Sequence, residues 1–231
     1  MKFALTHPFT CSYLPEEDEQ LIVLTDADPV SVEHYQYLLG AGFRRSGEHV
    51  YRPHCPQCNA CQSLRIPVAQ FKPSRGQRKL IKATQHIEHR LSETNKTEYY
   101  PMYARYIAAR HQDGSMYPPS QEQYHTFTQA PWGNPQYLEL WLDSQLVGLA
   151  ITDVTEQALS ALYTFFEPDL STLSLGTLAI LRQIEVAKSL GKAHLYLGYQ
   201  IDQCDKMNYK SRFHPHEKFI RGNWYREQDQ G

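Results

Sequence analysis

The order of apolar patterns in the second half of the chain constrains the fold most. Gln136 to Leu142, Gln145 to Val154 and Ala158 to Phe166 are short β-branched or aromatic runs separated by turn residues, with Asp143-Ser144 as the first tight turn, so they predict an antiparallel meander. Leu175, Leu178, Leu181, Ile184, Ala187 and Leu190 then recur at helical spacing in one segment that Gly191 ends. Ala193 to Tyr199 predicts a further strand, Cys204 to Phe213 a short helix, and Lys218 to Tyr225 a last strand. Three strands, a helix, a strand, a helix and a strand is the order of GCN5-related acyltransferase (GNAT) folds, so an α+β chain with a mixed sheet and flanking helices is expected. Between Pro67 and Pro119, Gln77 to His111 is rich in helix formers and predicts a mostly helical stretch broken near Pro101.

Two hundred and thirty-one residues with 41% apolar content can bury one large core, or a small and a medium one. The chain holds no apolar run long enough to span a bilayer. Met1 to Thr10 also lacks the basic and apolar start of a secretory signal, so the reading is cytoplasmic. The net charge of -2 hides an asymmetry. Phe3 to Phe43 has no Lys or Arg and carries Glu16, Glu17, Asp18, Glu19, Asp26, Asp28 and Glu33. Arg65 to Arg90 has seven basic residues against the single acid Glu88. That local excess fits a phosphate-bearing partner despite the acidic whole.

Three local clusters carry chemistry. Cys55, Cys58 and Cys61 stand at C-x2-C-x2-C spacing, which can aim several sulfurs at one metal, with Cys11 as the fourth candidate ligand. Buried reduced thiols in a tight turn are the alternative. Phe71 to Lys79 joins a rigid turn to a basic helix start with Ser74 as cap. There Arg75 and Arg78, one turn apart, can converge on a carboxylate or phosphate, and Lys72, Lys79 and Lys82 extend the charge. Tyr196 to Lys210 leaves a strand and enters a helix with Tyr199, Asp202, Lys206 and Lys210, the two lysines expected on one helix face. The segment Ser174-Leu175-Gly176 opens the central helix without the glycine-rich pattern that cradles a coenzyme A pyrophosphate, which disfavours that donor.

Taken in order, Cys11-Ser12-Tyr13-Leu14-Pro15, Gly42-Phe43-Arg44-Arg45-Ser46-Gly47, Tyr51-Arg52-Pro53 with the cysteine knuckle, Phe71 to Arg78, Tyr163 to Asp169 with Ser174-Leu175-Gly176, and Tyr196 to Lys210 resemble the arginyl-tRNA-protein transferase family. The resemblance is to its short bacterial branch, the aspartate/glutamate leucyltransferases. It implies a cysteine-containing N-terminal domain over residues 1–75 and a GNAT-like domain over 76–231. It also implies transfer of leucine from leucyl-tRNA to proteins with N-terminal Asp or Glu in the N-degron pathway, with no membrane and no DNA as partner. The longer relatives carry cysteines associated with an iron–sulfur cluster. Here Leu14 replaces one of them, so an iron–sulfur cluster, zinc or no metal at Cys11, Cys55, Cys58 and Cys61 stay open, and the transfer itself requires no cofactor. Within that chemistry Asp202 is expected to orient or deprotonate the attacking amine, and Tyr199, Lys206 or Lys210 to contact the oxyanion or a phosphate. Arg75 and Arg78 are expected to read the acceptor carboxylate, Lys72, Lys79 and Lys82 to meet tRNA, and Tyr163, Phe165, Ser174 and Gly176 to line the donor pocket. A coenzyme A-dependent N-acetyltransferase and a noncatalytic metal-knuckle RNA-binding protein are the competing readings.

Overall fold

The computed structural model describes residues 1–26, 30–114 and 116–227; Asp28 of the acidic stretch lies outside them. The N-terminal part contains β1 (Phe3–Leu5), β2 (Phe9–Thr10), β3 (Asp18–Glu19), β4 (Leu21–Leu24), α1 (Val32–Gly40), β5 (Arg44–Ser46) and β6 (His49–Pro53). Strands β1, β4, β6 and β5 form one small sheet in that order, and β2 pairs with β3. Next come β7 (Gln62–Pro67), α2 (Arg75–Ala83), β8 (Glu88–Ser92), α3 (Tyr99–Arg110), α4 (Gln121–Thr128), β9 (Pro135–Leu142), β10 (Gln145–Val154), β11 (Ala158–Phe166), α5 (Leu175–Ser189), β12 (His194–Gln200), β13 (His216–Ile220) and β14 (Asn223–Glu227). Eight of these strands form the main sheet in the order β14-β13-β7-β12-β11-β10-β9-β8. The sheet is mixed, because β11 and β12 run parallel while their neighbours pair antiparallel. Strand β7, on the N-terminal side of the expected boundary at residue 75, lies inside this sheet between β12 and β13.

Helices cover both faces. On one, α5 and α2 pack Leu181, Ile184, Leu80 and Ile81 against Leu159, Leu195 and Leu64, and α5 packs Leu178 against Leu138, Leu140 and Ala150. On the other, α3 and α4 place Tyr103, Ile107 and Tyr124 over Leu149, Ile151 and Phe165, and α1 places Tyr35, Leu38 and Leu39 over Ala158 and Tyr196. A β-bulge makes this division possible. Thr152 faces Ala161 but Ile151 faces Tyr163, so Leu162 is the extra residue, and the bulge carries Tyr163 and Phe165 to the same face as Ala158 and Ser160.

Three expectations are corrected. Gln77 to His111 is not one broken helix, because β8 interrupts it, and Pro101 sits in the first turn of α3, where its missing N–H leaves no bond unmade. Cys204 to Phe213 holds only a short 3-10 helix over Asn208–Arg212. The last strand is a hairpin, with Arg221 and Gly222 at positive φ forming its turn.

Candidate active site

Strands β11 and β12 pair over three residues only: Ala158 with His194, Leu159 with Leu195 and Ser160 with Tyr196. Beyond that point each strand bulges, at Leu162 and at Leu197, and follows its other neighbour. A parallel pair that parts halfway leaves a seam whose backbone groups no longer satisfy one another.

The hairpin β5–β6 brings Arg44 to that seam. Its Nη2 donates to the carbonyl of Ala161 on β11, and a Cβ built on Gly198 of β12 would lie 3.7 Å from its Nε. Gly198 has φ +85°, a conformation that glycine adopts freely, so the backbone beside the bulge favours this residue. Arg44 is 5% exposed, and its Nη1 is buried without a hydrogen-bond partner.

Lys210 reaches the seam from the 3-10 helix and is 7% exposed. Its ammonium donates to the carbonyl of Tyr199 and lies 3.6 Å from the sulfur of Met207. Burial, then the positive charge of Arg44, push its pKa down to about 7, while Cys204 and Cys61 act the other way. Tyrosines surround these cations. Burial raises Tyr13 and Tyr209 each to about 12 and moves Tyr51, Tyr163 and Tyr199 upward as well, so near neutral pH these hydroxyls stay protonated. Tyr13, Tyr163 and Tyr209 therefore keep their O–H groups, and Lys210 is the group poised to exchange a proton.

The cysteine group adjoins the seam. Burial, followed by Cys11, Cys55 and Cys58, raises the Cys61 thiol to about 12, and Cys61 in turn acts on Tyr199 and Lys210. The four thiols gather, yet among the described residues no three Cys, His, Asp or Glu side chains are arranged to hold a metal ion, and Cys55 donates instead to the carbonyl of Gln20.

The other expected residues separate. Asp202 is 66% exposed along its side chain, accepts from Gln200 at 3.0 Å and faces Lys218 at 3.8 Å. Lys206 lies exposed in the turn before the 3-10 helix and shares no helix face with Lys210. The Tyr199 hydroxyl points at the carbonyls of Gly42 and Tyr51, which ties β12 to the N-terminal part and leaves no proton free for an oxyanion. Phe165 is fully buried beneath α3 and forms core, not a pocket wall, while Tyr163 on the same face neighbours Tyr13, Tyr106 and Tyr209. Ser174 and Gly176 open α5, Ser174 in a left-handed conformation without a side-chain cap. Ser74 and Gln77 form a reciprocal cap at the start of α2, and Lys72, Arg75, Arg78, Lys79 and Lys82 are all exposed there. Among the described residues none of these five makes an ion pair. The sequence carried Arg44 only inside the Gly42 to Gly47 motif, with nothing local to mark it as a site residue.

Comparison with known proteins gives this arrangement a context. Residues 9–79 match the family model for the N terminus of arginine-tRNA-protein transferase, and residues 98–220 match that for its C terminus. The chain is 54% identical over 224 residues to the aspartate/glutamate leucyltransferase of Pseudoalteromonas atlantica, covering 97% of this chain and 96% of that one. It is 52% identical to the protein of the same name from Aeromonas hydrophila, covering 97% of this chain and 94% of that one. A solved structure, the C-terminal domain (DUF2156) of a putative lysylphosphatidylglycerol synthetase from Agrobacterium fabrum, superposes with a TM-score of 0.50 at 12% identity, covering 86% of this chain and 64% of that one, which speaks to fold alone. With both halves matched in register and relatives alike over nearly the full length, the chain belongs to the arginine-tRNA-protein transferase family.

Proposed function

We propose that this aminoacyltransferase moves leucine from leucyl-tRNA to the α-amine of proteins that begin with Asp or Glu, which marks them for degradation, and that its main sheet is of the GCN5-related type. The observation that carries the chemistry is Lys210, a buried lysine held near pKa 7 where two parallel strands part. The leucyl ester is already activated and the acceptor α-amine has an ordinary pKa of about 7.7 to 8.0, so alignment and one proton acceptor suffice and no cofactor takes part. Neutral Lys210 takes a proton from the α-ammonium. The freed amine attacks the ester carbonyl and the C–O bond to the ribose breaks as the new C–N bond forms; of the two protons the nitrogen sheds in becoming an amide, one returns from Lys210 to the leaving ribose oxygen and the other passes to water. Hydroxyls such as that of Tyr163 are within the set that can donate to the developing oxyanion. The more exposed Asp202 suits the rim of the site better than the proton transfer.

The exposed cations of α2, Lys72, Arg75, Arg78, Lys79 and Lys82, support contact with the backbone of the acceptor stem, recognised by shape and 3′ end more than by sequence. Exposed guanidinium groups give little discrimination between a carboxylate and water, so Arg75 and Arg78 are read with the tRNA contacts. Lys79→Glu with Lys82→Glu is expected to weaken leucyl-tRNA binding and to lower the salt slope of that binding by about 2, leaving the acceptor peptide's KM in place; filter binding across a salt series checks it. The proposed setting is the cytoplasm, where charged tRNA is found; no described helix is long and apolar enough to cross a membrane.

The reading is tested by mass spectrometry of peptides beginning with Asp, Glu or Ala after incubation with leucyl-tRNA, arginyl-tRNA or acetyl-coenzyme A. Leucine on the Asp and Glu peptides alone supports it. Arginine addition changes the donor, acetylation moves the chain to coenzyme A chemistry, and no product with active controls favours RNA binding without catalysis.

A further inference from the structure

Arg44 and Arg45 are neighbours on one strand and both are buried, at 5% and 2% exposure, yet the fold treats them differently. Arg45 meets both oxygens of Asp153, with Nε at 2.8 Å, and adds the carbonyl of Thr128 at 3.2 Å. Arg44 has the carbonyl of Ala161 for Nη2 and, among the described residues, no carboxylate partner and nothing at all for Nη1. A guanidinium is charged at every physiological pH, and an unpaired charge out of water costs several kcal/mol. Lys210, the second buried cation of the seam, acts on the same space and supplies no compensation. Gly198 contributes no side chain beside Arg44, where a Cβ would lie 3.7 Å from its Nε.

The geometry points to Arg44 as the residue that binds the side-chain carboxylate of the acceptor's N-terminal Asp or Glu, at the parting of β11 and β12, and so sets the specificity of transfer. A phosphodiester carries sugar on both sides and needs an open groove to lie in, whereas a carboxylate on a short side chain is a terminal group that can enter a narrow seam end-on. Arginine suits it through paired N–H donors. A carboxylate held at Arg44 brings the α-amine of the same residue, three or four bonds from the carboxyl carbon, toward Lys210, which joins recognition to proton transfer. This assignment rests on the reading of the chain as a transferase for acidic N-termini.

The test compares kcat/KM for peptides beginning with Asp, Asn, Glu and Gln, using leucyl-tRNA and the wild-type, Arg44→Gln and Arg44→Lys proteins, with leucyl-tRNA affinity measured in parallel by filter binding. The wild type is expected to prefer Asp to Asn and Glu to Gln by about 100-fold or more, the size of a lost charge-assisted hydrogen-bond pair. In Arg44→Gln that ratio falls to a few-fold, Arg44→Lys restores part of it, and tRNA affinity changes less than twofold. An Asp-to-Asn ratio that survives in Arg44→Gln, or a loss of tRNA affinity that leaves the ratio intact, overturns the assignment, the latter giving Arg44 to a phosphate. Thermal melting of the wild-type protein with Asp-Ala amide or Asn-Ala amide, without tRNA, needs no variant. A rise in Tm with the acidic dipeptide alone supports Arg44, and equal effects of the two count against it. If the wild type transfers leucine to no peptide, the proposed function fails and these melts still decide whether the seam takes a carboxylate.

Discussion

Replacing Lys210 with methionine is expected to lower kcat/KM for leucine transfer by at least about 100-fold, the scale of a lost proton acceptor, while making the protein more stable near pH 6 by about 1–4 kcal/mol. The two effects have one cause. Lys210 is 7% exposed and its neighbour Arg44 carries the same charge, so the folded protein holds its pKa at about 7 against an ordinary 10.5. Below pH 7 the lysine is protonated in both folded and unfolded chains, and the folded chain bears the full cost of an ammonium without water or counterion. As pH rises from about 7 toward 10.5, the folded protein has released the proton that the unfolded chain still holds, so the cost declines and wild-type stability rises. Methionine keeps the unbranched shape beside Met207 and removes the charge, so its advantage over wild type should be largest at pH 6 and shrink steadily toward pH 10. Urea denaturation at pH 6, 8 and 10 measures it. An advantage that does not fall with pH would mean that Lys210 is not held near neutrality. Lys210→Arg serves as the contrast, because a guanidinium cannot surrender the proton: transfer should be lost with no gain in stability. In the wild type, kcat/KM should fall on the acid side of about pH 7 as Lys210 gains its proton.

The parts of the fold that the sequence disclosed are those that bury a continuous face. Strands β10 and β11 begin and end where their apolar runs do, Asp143-Ser144 forms the expected turn at positive φ, and Gly191 ends α5 in the left-handed conformation that a helix stop needs. Strand β8 was illegible because it is an edge strand: Glu88, His89, Arg90 and Leu91 are exposed, so no alternation of apolar and polar residues marks it within a helix-forming composition. The expected helix over Cys204 to Phe213 failed for the opposite reason. Lys210 turns inward at the cost of regular helical spacing, and the segment tightens into a 3-10 turn around its contact with Tyr199.

The site was legible by region more than by role. Lys210 stood among the expected residues, but its lowered pKa comes first from burial and then from Arg44, which is 166 positions earlier in the chain and meets it only because the seam gathers β5, β11 and β12. No local pattern reports that one arginine of an Arg-Arg pair has a carboxylate and the other has none. That distinction is the product of long-range folding, and a sequence motif carries it only as an unexplained signature.

Arg45→Met is expected to destabilise the protein by about 3–5 kcal/mol, the cost of removing one partner of a buried ion pair, and a loss on this scale is a large share of a stability of about 5–15 kcal/mol. Among the described residues Asp153 would keep the Tyr35 hydroxyl at 3.3 Å as its hydrogen-bond partner, and the carbonyls of Thr128, Phe127 and Gly47 would lose the guanidinium that now donates to them. The position of the pair makes the consequence more than a stability loss. Arg45 fastens the β5–β6 hairpin to β10 and to the end of α4, and Gly47 adds a second clamp there, since its N–H bonds the carbonyl of Phe127 and a Cβ at that position would meet the carbonyl of Thr126 at 2.3 Å. Loosening that hairpin also loosens Arg44, its next residue, so leucine transfer should fall even in the fraction of Arg45→Met that remains folded. Asp153→Asn should also destabilise the protein, because the amide oxygen can still accept from Arg45 but the buried guanidinium, charged at every physiological pH, is left without a counterion. The double variant Arg45→Met with Asp153→Asn should lose clearly less than the sum of the single losses, with a coupling of about 1–3 kcal/mol in the denaturation cycle. Additive losses would mean that the two side chains stabilise the fold separately, and the anchoring of the seam would then rest on other contacts, among them those of Gly47, the Tyr199 hydroxyl and Arg44 with Ala161.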